Sequence, residues 1–134
     1  DLDDPADLAA FFAFVQSLRQ SGALVAYHDI ADGGLAVALL EMAFASRCGL
    51  EVDIGSHAAP LPALFAEELG AVIAVVAGRA PQIVEAAEAA GVSARVLGRP
   101  VPGERIVVLS APEFVPVNKL PLPFTDNTRL FPIR

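Results

Sequence analysis

One cysteine, no tryptophan, one tyrosine and nine basic residues are found among these 134 residues, and most of these scarcities remove a class of function. Cys48 has no second thiol with which to form an internal disulfide and no metal-ligand companion at zinc spacing. It closes an apolar helix pattern, which favours an inert packed thiol over a nucleophile. The nine lysines and arginines are scattered singly against sixteen acidic residues, for a net charge of −7. Nucleic acid and anionic membrane are therefore set aside as primary partners. The longest apolar runs, Leu35–Leu40 and Ala71–Ala77, fall well short of the ~18 residues that suggest a membrane span. The opening "DLDDPADLAA" is acidic and has no basic n-region, so no secretory signal or transit peptide is read there and a cytoplasmic location is expected.

Apolar side chains, by contrast, are plentiful. They make up 54% of the chain and the mean hydropathy is +0.55, above the roughly 45–50% apolar usage of an average soluble domain. That surplus calls for a partner surface, either another domain or a second copy. The length suits one domain with a single core.

Apolar periodicity and turn residues divide the chain. Asp4-Pro5 opens a helix in which Leu8, Phe11, Phe12, Val15 and Leu18 recur at helical spacing, and Gly22 ends it. Ala23 to Tyr27 suits a short buried strand. A second helix is expected from about Gly33 to Arg47, with Gly49 as its C′ residue and an almost wholly apolar circumference that implies cover on most sides. "LEVDI" reads as a half-buried strand, "GSHAAPLPALFAEEL" as a connection holding a short helix, and "GAVIAVVAG" as an inner strand. "APQIVEAAEAAG" is a third longer helix, and "ARVLGRPVPGERIVVL" two strands around a Pro102-Gly103 turn. The expected class is α+β, a mixed sheet with helices packed on it. Residues 1–111 form that domain. Residues 112–134 are proline-rich, without a sustained period, and are expected to be mostly irregular. Vector-encoded sequence is favoured as their source, since Glu113-Phe114 is what a common cloning junction encodes, over a linker to a further domain.

The chemistry-bearing stretch is "AYHDIADGG", residues 26–34. A strand delivering Asp29, a glycine turn and a helix N-terminus together place backbone N–H groups beside a carboxylate. Phosphate on those N–H groups and Mg²⁺ bridging it to the carboxylate is one reading. The other is structural: Asp32 is an ordinary N-cap, and Gly33 and Gly34 serve close packing. Spacing alone leaves both open. One or two local carboxylates do not satisfy octahedral Mg²⁺, so a metal here takes its remaining ligands from elsewhere. His28 points to the face opposite Asp29 and reads as a hydrogen-bonded structural histidine. His57 reads as a solvated loop residue. Glu41, the only charge in the body of the second helix, either snorkels or is paired. Glu67 and Glu68 precede the inner strand and read as a solvated helix end, with a carboxylate pair facing the Asp29 cleft as the alternative.

Taken together, "AYHDIADGGLAVALLEMAFASRCGLEVDI" and the following "LFAEELGAVIAVV" resemble phosphoribosylformylglycinamidine synthases of the large single-chain form, in the C-terminal part of their second aminoimidazole-ribonucleotide-synthetase-like half. The resemblance covers about residues 1 to 110. It implies the C-terminal α/β domain of a superfamily that also includes selenophosphate synthetase, thiamine-monophosphate kinase and a hydrogenase maturation protein. It further implies two partners in the parent chain: a preceding synthetase-like N-terminal domain and a glutaminase domain. The implied activity is ATP- and glutamine-dependent conversion of formylglycinamide ribonucleotide to formylglycinamidine ribonucleotide, with this domain inactive alone.

The family motif His-Asp-x-Ser-Asp-Gly-Gly assigns Mg²⁺ to Asp29 and nucleotide contacts to positions 31, 33 and 34. Ala31 departs from it by lacking the usual serine hydroxyl, which leaves only backbone contact there. By the same resemblance, the second-half site holds a retained ADP. No residue of this chain is expected to be catalytic. A self-associating structural module without a ligand, and a small-molecule regulatory domain, remain as rivals.

Overall fold

The computed structural model describes residues 5–55, 60–109 and 128–133. Four helices, α1 (Pro5–Gln20), α2 (Gly34–Ser46), α3 (Pro60–Phe65) and α4 (Ala80–Ala89), alternate with strands β1 (Leu24–Asp29), β2 (Gly49–Asp53), β3 (Ala71–Val76), β4 (Gly98–Val101), β5 (Ile106–Leu109) and β6 (Thr128–Ile133). The strands form one sheet in the order β1-β3-β6-β4-β2-β5. All neighbours are antiparallel except β2 and β5, which run parallel. The fold is thus α+β with a mixed sheet, as the sequence pattern implies.

β3 sets the layering. Its apolar run is buried from Ala71 to Val75, and because successive side chains leave opposite faces of a strand it supplies two cores. Val72 and Ala74 join Leu35, Ala38, Leu39, Met42 and Ala43 of α2, together with Leu50 and Val52 of β2. Ile73 and Val75 join Phe14 and Leu18 of α1 and Ala80, Ile83 and Ala87 of α4. Full burial of each such aliphatic side chain contributes roughly 1.5–3 kcal/mol. α1 starts at Pro5 and carries Asp7 in its first turn and Arg19 in its last, both suited to the helix dipole.

Four expectations are corrected or refined. The proline-rich tail, expected to be mostly irregular, contributes one strand: Thr128–Ile133 forms β6, between β3 and β4. Pro132 inside that segment pairs in register with Val72. A proline lacks a ladder N–H and argues against an inner strand, which is why the pattern missed it. β4 and β5 both exist but do not pair across Pro102-Gly103. They flank β2, and the connection between them crosses the start of β2 at Gly49, where a Cβ would lie 2.3 Å from the Arg105 carbonyl oxygen. Gly49 is therefore not the C′ residue of α2. That place is taken by Arg47 at φ 50, whose N–H bonds to Phe44 O while the Cys48 N–H bonds to Ala43 O.

The fourth correction concerns cover on α2. Phe44 is 71% exposed and Leu40 38%, so the surplus of apolar residues leaves one flank bare. Leu61 and Phe65 of the adjacent α3 are exposed as well. No helix among the described residues is long and apolar enough to cross a membrane.

Candidate functional site

β1 is an edge strand whose exposure alternates along its length. Half-buried Ala26 and His28 turn toward α2, while Val25, Tyr27 and Asp29 lie exposed on the other face. Asp29 is the last strand residue, in register with Ala71, and the Ile30 N–H extends the ladder to Gly70 O at 2.8 Å. The sequence expectation for Asp29 thus holds in position: a carboxylate delivered to the end of a strand, directly before the turn into α2.

Three side chains organise this end of the strand. The Tyr27 phenol lies beside the Asp29 carboxylate, two residues on and on the same face. Burial, then the neighbouring carboxylate and its negative charge, push the Tyr27 phenol up to about 12. On the opposite face His28 places Nδ1 2.7 Å from the Asp29 carbonyl oxygen and Nε2 2.6 Å from Glu41 Oε2. The carbonyl accepts, so Nδ1 carries the hydrogen of that bond. His28 is thus hydrogen-bonded, as the sequence suggests, and Glu41 is paired rather than snorkelling.

The third is Glu67. Its Oε1 accepts the Gly33 N–H at 3.1 Å. The solvated-end reading of Glu67 is therefore incomplete: the residue is exposed but bonded to the turn. Antiparallel pairing explains the meeting, because residues just before β3 lie beside residues just after β1. Glu68, next to Glu67, is exposed. Asp32 is not the N-cap. Gly33 occupies that position at φ 87 without a side-chain cap bond of its own, and the carboxylate comes from Glu67 across the gap.

The glycines are shaped by packing within the chain. A Cβ at Gly34, itself at φ 68, would lie 2.8 Å from the carbonyl oxygens of Leu64 and Ala66. The N-terminus of α2 therefore abuts the end of α3 at a distance only glycine permits. The Gly34 N–H bonds to Ala31 O at 2.9 Å, which closes the turn. Both glycine N–H groups are engaged, and Ala31 is exposed with no hydroxyl to offer.

These residues fit the implied ligands unequally. Asp29 offers a hard, exposed oxygen donor suited to a divalent cation. Among the described residues no group of three histidine, cysteine, aspartate or glutamate side chains is gathered to hold a metal, so Asp29 fits a shared ion rather than one held by this chain alone. Phosphate on the Gly33 N–H requires Glu67 to turn away. His57 lies outside the described residues.

Cys48 is half-buried against the α2 core. It lines a cavity of about 500 Å³ with Ala43, Phe44, Arg47, Glu104 and Ile106. That cavity lies at the far end of α2, roughly 18 Å of helix from the glycine turn.

Sequence alone found Asp29 and the turn, placed Glu67 at the Asp29 cleft only as the alternative reading and without its bond to Gly33, and missed Tyr27. A polar side chain two residues before Asp29 on the same strand face was the available signal for Tyr27. For the Glu67 bond no local signal exists.

A mixed sheet with helices on both faces, and an aspartate-glycine turn between an edge strand and a core helix, define an α+β domain with a carboxylate at one sheet end. The family model for AIR synthase related protein, C-terminal domain, matches residues 1–110. The chain belongs to this family, and β6 lies beyond the matched residues.

Proposed function

We propose that this chain is the C-terminal domain of the second synthetase-like half of a phosphoribosylformylglycinamidine synthase, a cytoplasmic ATP- and glutamine-dependent carbon-nitrogen ligase. Membership of the AIR synthase-related family supports the general class. The motif around Asp29 and the "LFAEELGAVIAVV" segment support the particular enzyme. In the parent reaction the γ-phosphoryl group of ATP passes to the amide oxygen of formylglycinamide ribonucleotide, releasing ADP. Ammonia from glutamine then attacks the same carbon, and phosphate leaves as the attacking nitrogen loses a proton.

The observation that carries this reading is Asp29: exposed, at a strand end, with Tyr27 beside it and the glycine turn directly after it. Asp29 is the residue that would hold Mg²⁺, which when bound neutralises nucleotide phosphate charge. Ala31, Gly33 and Gly34 would border a retained ADP through backbone contacts, Gly33 once Glu67 releases it. The remaining ligands come from the preceding N-terminal domain, so the site is shared and the domain alone is inactive.

Calorimetric titration with Mg-ADP tests this. The expected result is no binding at millimolar nucleotide by this chain, binding by a longer polypeptide that includes the preceding domain, and loss of that binding on Asp29→Asn. Binding by the longer polypeptide that survives Asp29→Asn would remove Asp29 from the site.

A second reading rests on a separate observation, the exposed Leu40, Phe44, Leu61 and Phe65 on α2 and α3. Such a flank suits self-association of a structural module without a ligand. Concentration-dependent sedimentation with no nucleotide binding in the longer polypeptide would favour it.

A further inference from the structure

We infer that His28 and Glu41 are positioning residues for Asp29, forming a strut from the middle of α2 to the backbone of the proposed metal ligand; the inference rests on the reading of Asp29 given above. The Asp29 carbonyl and the Ile30 N–H belong to one planar peptide unit. His28 Nδ1 holds the carbonyl at 2.7 Å, and Gly70 O holds the N–H at 2.8 Å from the opposite direction. That peptide plane is therefore pinned at both ends, which fixes ψ of Asp29 and the direction in which its side chain leaves the strand.

The imidazole is itself anchored. Its Nε2 lies 2.6 Å from Glu41 Oε2, and Glu41 stands about two turns into α2, a helix seated in the core through Leu39 and Met42 on either side of that position. The Asp29 carboxylate lies beside the Tyr27 phenol on the other face of the strand. Supporting bonds of this kind orient metal ligands and are commonly worth a tenfold change in metal affinity. His28 and Glu41 contact neither metal nor nucleotide in this arrangement. They act through Asp29.

The chain carries its own reporter, because Tyr27 is its only tyrosine and it has no tryptophan. A carboxylate close to a phenol quenches it, so Tyr27 emission in the full chain reads the placement of the neighbouring Asp29 carboxylate without any ligand. Asp29→Asn is expected to relieve the quenching. Glu41→Ala and His28→Ala are expected to relieve it in the same direction, and Glu41→Gln, whose side-chain amide can donate to Nε2 or accept from it, to restore it. Circular dichroism checks that each variant keeps the sheet; both side chains are partly exposed, and either variant alone suffices. Emission that responds to Asp29→Asn but not to Glu41→Ala or His28→Ala overturns the strut, and so does a lack of response to Asp29→Asn.

Paramagnetic broadening of the Tyr27 ring signals by Mn²⁺, in the longer polypeptide with the preceding domain, examines the metal role separately. Broadening lost in Asp29→Asn, reduced in Glu41→Ala and recovered in Glu41→Gln supports both inferences. Absence of broadening overturns the metal reading of Asp29, while the emission of the free chain still decides the strut.

Discussion

Glu67 sets its Oε1 3.1 Å from the backbone nitrogen of Gly33, so the helix that opens at Gly34 is capped by a carboxylate from the segment just before β3. The cap is tertiary, and its loss is felt at two elements at once.

Glu67→Ala is accordingly expected to destabilise the domain by about 0.5–1 kcal/mol, the low end of cap losses because the residue is exposed. Urea denaturation of the variant against the unmodified chain measures it. Glu67→Gln should recover part of the loss, since its amide oxygen accepts the same N–H without the charge.

Gly34→Ala is expected to cost more, on the order of 1–3 kcal/mol. The new Cβ meets backbone carbonyl oxygens of Leu64 and Ala66 at 2.8 Å, neither of which can rotate away, and φ 68 is itself unfavourable for alanine. Thermal unfolding should show a clear fall in Tm, and proteolysis should concentrate near α3, the element pushed aside.

Arg99 is the buried cation among the described residues, 8% exposed, and donates from Nε and Nη2 to Glu51 Oε2 at 3.1 and 2.7 Å. Glu51→Ala leaves that guanidinium without its partner and is expected to destabilise by about 1–2 kcal/mol, held below the value for a fully buried pair by the exposure of the Glu51 side. Denaturant unfolding at low and high salt checks it, with little salt dependence expected for the Arg99 side of the pair.

Tyr27 governs behaviour in alkali. Its phenol is raised from 10.0 to about 12, so the folded chain keeps the proton after the unfolded chain has lost it. The associated stability is fully present below pH 10, declines as pH climbs through the interval to about 12, and is gone above it. Tyrosinate absorbance during alkaline titration follows the group directly. Asp29→Asn should bring the midpoint back only part of the way, because burial, the largest cause, remains.

Most of the layering was legible because it rests on local pattern. The run Ala71–Val75 announces an inner strand, and the spacing of Phe11, Val15 and Leu18 announces α1. What escaped depends on which segments meet. β6 is six residues with a proline inside, and only its neighbours Val72 and Leu130's partner Gly98 give it a place. The crossing of β4 to β5 over Gly49 is likewise a matter of tertiary approach. The site divides in the same way. Asp29 and the glycine turn are adjacent in sequence and could be named from it. Glu67 and Glu41 reach the same strand end from 34 and 13 residues away, separations that carry no period.

One consequence of the strand order concerns Ala71. It pairs with Asp29 on one side and with Ile133 on the other. β1 and β6 both oppose β3, so they run in the same direction and finish at the same end of the sheet. Two strand spacings, about 10 Å, therefore separate Asp29 from the end of β6. A segment far along the chain from Asp29 thus finishes two strands away from it, and a charge placed at position 133 would be felt at that end of the sheet.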